Sequence, residues 1–207
     1  MQKFKHHCII DEIAYNKQAL IDLFNRIPKK CELPWNQYKQ AIKDEGGAQS
    51  YSKNQNRGDG GLNGIFIPYW EGKQITDYPE VQDILKHFNF LNPLHVHDIT
   101  FMTYTPGFTF RNHTDRFLEY NIMFPLIPSD GGEAITFYKG EDKDRNNPLG
   151  TEYTYKYDTN HPTVFNGKTI HSVDTIKEYR VMFRIKVPDE PYNSMIKRYE
   201  NGEFVNA

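Results

Sequence analysis

Cysteine is nearly absent from this chain: Cys8 and Cys31 are the only two among 207 residues. Two thiols make no disulfide framework, and a reducing compartment is the simplest setting. Nowhere do about 18 uncharged apolar residues run together, so no membrane-spanning helix is expected. The opening segment MQKFKHHCIIDE follows its basic residues with no long apolar stretch, which argues against a secretion signal and for a soluble, cytoplasmic protein. An excess of charge is also missing. The 25 Lys and Arg against 27 Asp and Glu leave a net charge of -2, so no global basic field draws the protein to nucleic acid, although a local patch could. Glycine-rich phosphate loops, nucleophile elbows and zinc-spaced cysteine pairs are lacking. What is plentiful is aromatic: 14 Tyr and 14 Phe favour a strand-rich domain with cross-strand ring packing.

The N-terminal part reads as helical. Residues 17–27 place Leu20, Ile21, Leu23, Phe24 and Ile27 on one stripe that Pro28 ends. A weaker helix is expected over Pro34 to Lys43 and another over Tyr78 to Phe88, while the polar stretch 44–63 reads as a long loop, either a plain insertion or a lid. After Asn92-Pro93 the period changes to two. Strands are expected over His97–Thr105, Glu119–Leu126, Ala134–Lys139, Glu152–Tyr157, Thr163–Asn166 and Tyr179–Val187, separated by turn-forming runs. This spacing implies a sandwich or barrel with the N-terminal helices packed against one sheet. At this length the chain fits one domain, divided into a helical and loop region (1–95), a β core (96–187) and a C-terminal extension (188–207).

The chemistry concentrates in the second half. His113 and Asp115 stand two apart, so on extended chain both project to one face, or Asp115 bends toward the same point just past the strand end. His171 follows a turn at Asn166-Gly167 and is expected to approach from the opposite side. Two imidazoles and one carboxylate form the facial set that holds non-haem iron(II) with positions left open for co-substrate and oxygen. Nine residues later Arg180 opens a strand that alternates Arg180, Met182 and Arg184 with Val181, Phe183 and Ile185. A barrel-lining arginine needs a partner, and a bound dicarboxylic acid would supply one. The alternative is an ordinary surface strand with solvated arginines.

Tyr104-x-x-Gly107 followed after five residues by His113-x-Asp115 resembles the corresponding stretch of prolyl-hydroxylase-like 2-oxoglutarate/iron(II) dioxygenases. Asn121-Ile-Met-Phe-Pro-Leu-Ile, Thr136-Phe-Tyr, Phe165-Asn166, Ile170-His171-Ser172-Val173 and Arg180-Val-Met-Phe-Arg184 continue the likeness, in a form most similar to small dioxygenase-like proteins of marine bacteriophages. The resemblance covers residues 96–187. It implies a double-stranded β-helix, the cupin-like jelly roll, with His113, Asp115 and His171 holding iron(II). It further implies that Arg180 binds the distal carboxylate of 2-oxoglutarate, that Tyr104 donates a hydroxyl hydrogen bond to the same co-substrate, and that ascorbate can act in support. The implied reaction consumes O2 and 2-oxoglutarate, releases succinate and carbon dioxide, and hydroxylates a peptidyl, prolyl-like or small-molecule substrate. Asp115 matters here, because the halogenating relatives lack this carboxylate.

Other features read otherwise. His95-x-His97 lacks the glutamate that a cupin metal site would place about four residues on; His6-His7 beside Cys8 reads as a polar terminus, and His161-Pro162 as a turn. Trp35, Phe66, Tyr69 and Trp70 are packing residues or line the barrel mouth. Gly131-Gly132-Glu133 resembles a prolyl-hydroxylase element displaced by one residue, or is a turn. Arg184 pairs with a substrate group or an acidic neighbour, or contacts the co-substrate. Two rival functions stand beside the hydroxylase: a nucleobase-directed oxidative demethylase, for which no basic stretch speaks, and a jelly-roll binding module without catalysis.

Overall fold

The structure, a computed structural model, describes residues 4–26, 69–70, 73–91, 99–104, 106–107, 109–115, 118–144 and 146–204, with backbone alone at 69–70, 73–74 and 142. Cys31, the helix expected over 34–43, the polar stretch 44–63, Trp35, Phe66, His95 and His97 lie outside the described residues, as do the side chains of Tyr69 and Trp70.

The chain opens with a short strand, β1 (His7–Ile9), and continues into α1 (Lys17–Arg26). Asn16 caps α1, its side-chain oxygen accepting the Ala19 N–H at 3.0 Å. Leu20, Leu23 and Phe24 recur at helical spacing and form its buried face. β2 (Tyr69–Trp70) and β3 (Lys73–Gln74) pair as a small ribbon. α2 (Pro79–Leu85) has proline at its first turn, where a missing N–H leaves no hydrogen bond unmade. The helix expected over 78–88 therefore divides, with a 3-10 turn over Lys86–Phe88 finishing it. Eight strands follow: β4 (Ile99–Tyr104), β5 (Phe110–His113), β6 (Tyr120–Ile127), β7 (Ile135–Tyr138), β8 (Thr151–Tyr155), β9 (Thr163–Asn166), β10 (His171–Val173) and β11 (Arg180–Val187). α3 (Tyr192–Glu200) closes the described chain.

Two antiparallel sheets result. The larger has the order β1-β9-β6-β11-β4 and the smaller β5-β10-β7-β8. Alternation along β11 determines what each face of the larger sheet meets. Val181, Phe183, Ile185 and Val187 turn outward to a core shared with α1, α2 and α3, where Phe183 packs on its cross-strand neighbours Phe101 and Phe124 with ring centroids 5.2 and 5.5 Å apart. Burial of each such ring contributes about 2–3 kcal/mol. Met182 turns inward to a second core where Met102, Tyr104, Met123 and Phe165 of the larger sheet meet Ile135, Phe137, Tyr155 and Val173 of the smaller. The helices thus cover one face of the five-stranded sheet and leave the other to face the smaller sheet.

Besides the β2–β3 ribbon, four elements lie outside the strands and helices expected from sequence. β1 pairs with β9, and His6 is buried, so the polar-terminus reading of His6-His7 is corrected: their rings stack on Phe137, Tyr153 and Tyr155 and close the gap between the two sheets. β5 and β10 are short strands of the smaller sheet. α3 docks through Tyr192 and Met195, and Glu190 ties it down, accepting from Tyr120 Oη at 2.6 Å and Arg198 Nε at 2.8 Å. Among the described residues no helix is long and apolar enough to cross a membrane.

Candidate metal centre

His113 and His171 face each other across the β5–β10 pair. Their rings lie 4.3 Å apart on the inner face of the smaller sheet. The expectation that His171 approaches from the opposite side is therefore corrected: both imidazoles stand side by side on one sheet. A bulge makes this possible. Phe110 pairs with Val173 and His113 with His171, so β5 spends three steps where β10 spends two. The extra residue turns both Phe110 and His113 inward, and their rings stack 5.7 Å apart.

Asp115 lies just past the end of β5, where Gly167 holds its backbone. Asp115 N–H donates to Gly167 O at 2.7 Å, and Gly167 N–H donates to Glu119 O at 3.0 Å. A Cβ on Gly167 would lie 3.0 Å from Leu118 O and 3.1 Å from Asp115 Cβ, so this close approach favours glycine. Asp115 Oδ1 stands 3.8 Å from His113 Nε2. One ligand atom from each of His113, Asp115 and His171 falls within 4.8 Å of the others, the one such cluster of three among the described residues.

The tautomers suit a metal. His113 Nδ1 lies 2.7 Å from Arg111 O and His171 Nδ1 lies 2.8 Å from Thr169 O. A carbonyl only accepts, so each Nδ1 carries a proton and Nε2 is the nitrogen that a neutral ring would offer to an ion. Burial, reinforced by neighbouring His113, lowers the His171 pKa to about 4, and its ring is neutral at pH 7. Two imidazole nitrogens and one carboxylate oxygen match the needs of a redox-active divalent ion such as iron(II).

These three residues border a cavity of about 70 Å3 between the sheets, lined also by Tyr104, Tyr157, Arg180, Arg184 and the thioethers of Met102, Met123 and Met182. Arg180, at the start of β11, is almost wholly buried. Its guanidinium lies 5.0 Å from the centre of the Tyr157 ring, Nη1 donates a long 3.5 Å bond to Glu133 O, and Nε has no hydrogen-bond partner among the described residues. No carboxylate among those residues pairs with it. Tyr104, cross-strand from Arg180, donates to Met102 Sδ at 3.4 Å, and burial raises its pKa. Gly131-Gly132 forms a left-handed turn beside Arg180, with φ of 85° and 72°. A Cβ at Gly131 would press within 2.9 Å of the Tyr157 carbonyl oxygen, so the turn seats the segment that carries the Tyr157 ring.

Sequence reasoning passed over two residues of this site, Tyr157 and Asn121. Asn121 donates through Nδ2 to Asp115 Oδ2 at 2.6 Å. Its signal was a lone amide inside an otherwise apolar strand; Tyr157 gave none beyond its type.

No family model matches the chain, and no curated protein matches it. Solved structures do. An oxidoreductase of the 2OG-Fe(II) oxygenase family from Burkholderia pseudomallei is similar with a TM-score of 0.35 and 14% identity, over 55% of this chain and 58% of that one. A Pseudomonas putida prolyl-4-hydroxylase is similar with a TM-score of 0.42 and 17% identity, over 83% of this chain and 98% of that one.

Proposed function

We propose that this protein is an iron(II)- and 2-oxoglutarate-dependent oxygenase that hydroxylates a peptidyl or small-molecule substrate, on a double-stranded β-helix formed by its two sheets. One observation carries the reading: a two-imidazole, one-carboxylate cluster and a buried arginine with no carboxylate partner among the described residues line the same cavity. A buried cation in such a place is costly unless an anion joins it.

The roles follow from chemistry. His113, Asp115 and His171 hold the ion. Arg180 receives the distal carboxylate of 2-oxoglutarate in a charge-assisted, two-pronged hydrogen bond. Tyr104 turns its hydroxyl from Met102 to the same co-substrate. When bound, iron(II) supplies the activation of O2 that couples decarboxylation of the keto acid to hydroxylation of the substrate. The apolar walls of Phe110, Ile135, Phe165 and Val173 exclude water from that chemistry. Ascorbate serves as a supporting reductant.

Succinate formation tests the proposal. Protein loaded with iron(II) and given 2-oxoglutarate in air is expected to release succinate and carbon dioxide slowly without a primary substrate, and His113→Ala to abolish the release. No succinate from metal-loaded protein, with or without a panel of prolyl peptides, would sink it.

A further inference from the structure

Asn121 is fully buried on β6, in register with Phe165 of β9 and Lys186 of β11. Its neighbours Tyr120 and Ile122 belong to the helix-side core and Met123 to the inter-sheet core, so its side chain occupies the interior of the sandwich. Nothing about packing calls for an amide there. An ionised carboxylate only accepts, so the 2.6 Å contact to Asp115 Oδ2 fixes which end of the amide faces it: Nδ2 donates. The other end, Oδ1, is buried with no hydrogen-bond partner among the described residues. A buried acceptor left unmade is unfavourable, so the amide is a net burden to the core unless its single bond to Asp115 serves the site.

That bond divides the labour of the two carboxylate oxygens. Oδ2 is held by Asn121, while Oδ1 faces His113 Nε2 at 3.8 Å. The Asp115 backbone is pinned independently by Gly167. With its backbone and Oδ2 both held, Oδ1 is the carboxylate oxygen left facing His113.

We infer that Asn121 is a positioning residue that keeps Asp115 a one-oxygen ligand and thereby leaves the metal's remaining positions open for the keto acid and oxygen. The inference rests on the oxygenase reading for its purpose, although the geometry alone carries the effect on metal binding. A carboxylate free to rotate could bind through both oxygens, take one more position and compete with a chelating co-substrate. Partners of this kind typically change metal affinity by about 10–100-fold when removed.

The test uses Asn121→Leu, which keeps volume and removes the donor, beside Asn121→Ala, which removes both without overpacking. Cobalt(II) is titrated into metal-free protein and its ligand-field spectrum recorded, then 2-oxoglutarate is titrated into the cobalt-loaded form. The thermal midpoint of each metal-free variant establishes that it is folded. For whichever variants fold, the expected result is cobalt affinity weaker by about 10-fold or more, an altered ligand-field spectrum, and weaker 2-oxoglutarate binding. Wild-type affinity and an unchanged spectrum in a folded variant would overturn the inference, as would failure of both variants to fold, since Asn121 would then be a structural residue. The two readings separate cleanly. Wild-type protein that makes no succinate, with variants that still lose cobalt, refutes the oxygenase and leaves the positioning role standing. Succinate from wild type with cobalt binding untouched in the variants does the reverse.

Discussion

The guanidinium of Arg180 lies 5.0 Å from the centre of the Tyr157 ring, and both side chains line the cavity that holds His113, Asp115 and His171. A ring face attracts a cation but does not neutralise it. The pair therefore holds a positive charge in place at the wall of an apolar chamber while leaving it available to an anion. Four predictions test this arrangement and its surroundings.

Arg180→Leu removes that charge. If the distal carboxylate of 2-oxoglutarate binds there, the KM for 2-oxoglutarate should rise by about 30–100-fold, as expected for loss of a charge-assisted hydrogen bond. Cobalt(II) affinity should stay within about two-fold, because the ligand cluster is separate. Arg180→Lys should fall between, keeping the charge without the fork. The ligand-free Arg180→Leu protein should melt no lower than wild type, since a buried cation lacking a carboxylate partner is being replaced by an apolar group. A large fall in melting temperature, or an unchanged KM, would move the anchor elsewhere.

Tyr157 separates hydroxyl from ring. Its hydroxyl makes no hydrogen bond among the described residues, and burial raises its pKa, so it stays a donor throughout the working range. If its hydroxyl donates to the carboxylate that Arg180 receives, Tyr157→Phe, which retains the face under Arg180, should raise the KM for 2-oxoglutarate by about 10-fold or more, the loss of one hydrogen bond to a charged acceptor. Tyr157→Leu should do more, because the cation loses its platform as well. Steady-state kinetics over a range of 2-oxoglutarate concentrations distinguish them; equal effects would mean that the ring platform adds nothing, and a wild-type KM in Tyr157→Phe that the hydroxyl takes no part.

Gly167→Ala should disturb the candidate metal centre from behind. The added Cβ would meet Leu118 O at 3.0 Å and Asp115 Cβ at 3.1 Å, and must push the aspartate or the loop aside. Destabilisation by about 1–3 kcal/mol is expected, with cobalt(II) affinity falling by more than the fold's own loss explains. Chemical denaturation and metal titration, run on the same protein, check both. Intact affinity in Gly167→Ala would show that the Asp115 backbone contact is incidental.

Period two was plain along β11, where Val181, Phe183 and Ile185 do turn to the helix-side core and Arg180, Met182 and Arg184 line the cavity. The strand at Thr163–Asn166 has the span that its residues suggest. β5 was hidden because its bulge sets Phe110 and His113 three apart on one face, which breaks the alternation. The neighbouring of β5 and β10 was out of reach for a different reason: strand order is a property of the whole fold, and no local pattern states it. Hence the direction of His171 was misjudged although its residue type was singled out. Asn121 and Tyr157 belong to no spacing rule: the lone amide in β6 marks a position but not its partner, and Tyr157 becomes visible only when Arg180 is placed beside it. α3 could have been found. Pro191 precedes a run in which Tyr192, Met195 and Tyr199 recur at helical intervals.

The stacked ring of His7 gives the last prediction, on acid stability. Burial between the edge strands, with His6 beside it, lowers the His7 pKa to about 4, so the ring is neutral in the folded protein at neutral pH. Above the unfolded value near 6.5 both states are neutral and the ring contributes no pH dependence. As pH falls from 6.5 toward 4, the unfolded chain binds a proton that the folded chain refuses, and stability is lost across that window. Below about 4 the folded form takes the proton too and the loss levels off. His7→Phe keeps the stacking on Tyr153 and Tyr155 and removes the titration. Urea unfolding of metal-free protein at pH 7.5 and pH 5 should therefore show wild type losing on the order of 1–2 kcal/mol more than the variant. His171 titrates in the same direction but is present in both proteins and cancels from the comparison. Parallel pH profiles would mean that the His7 ring accepts its proton in the folded state, and that the gap between the sheets is wetter than its packing implies.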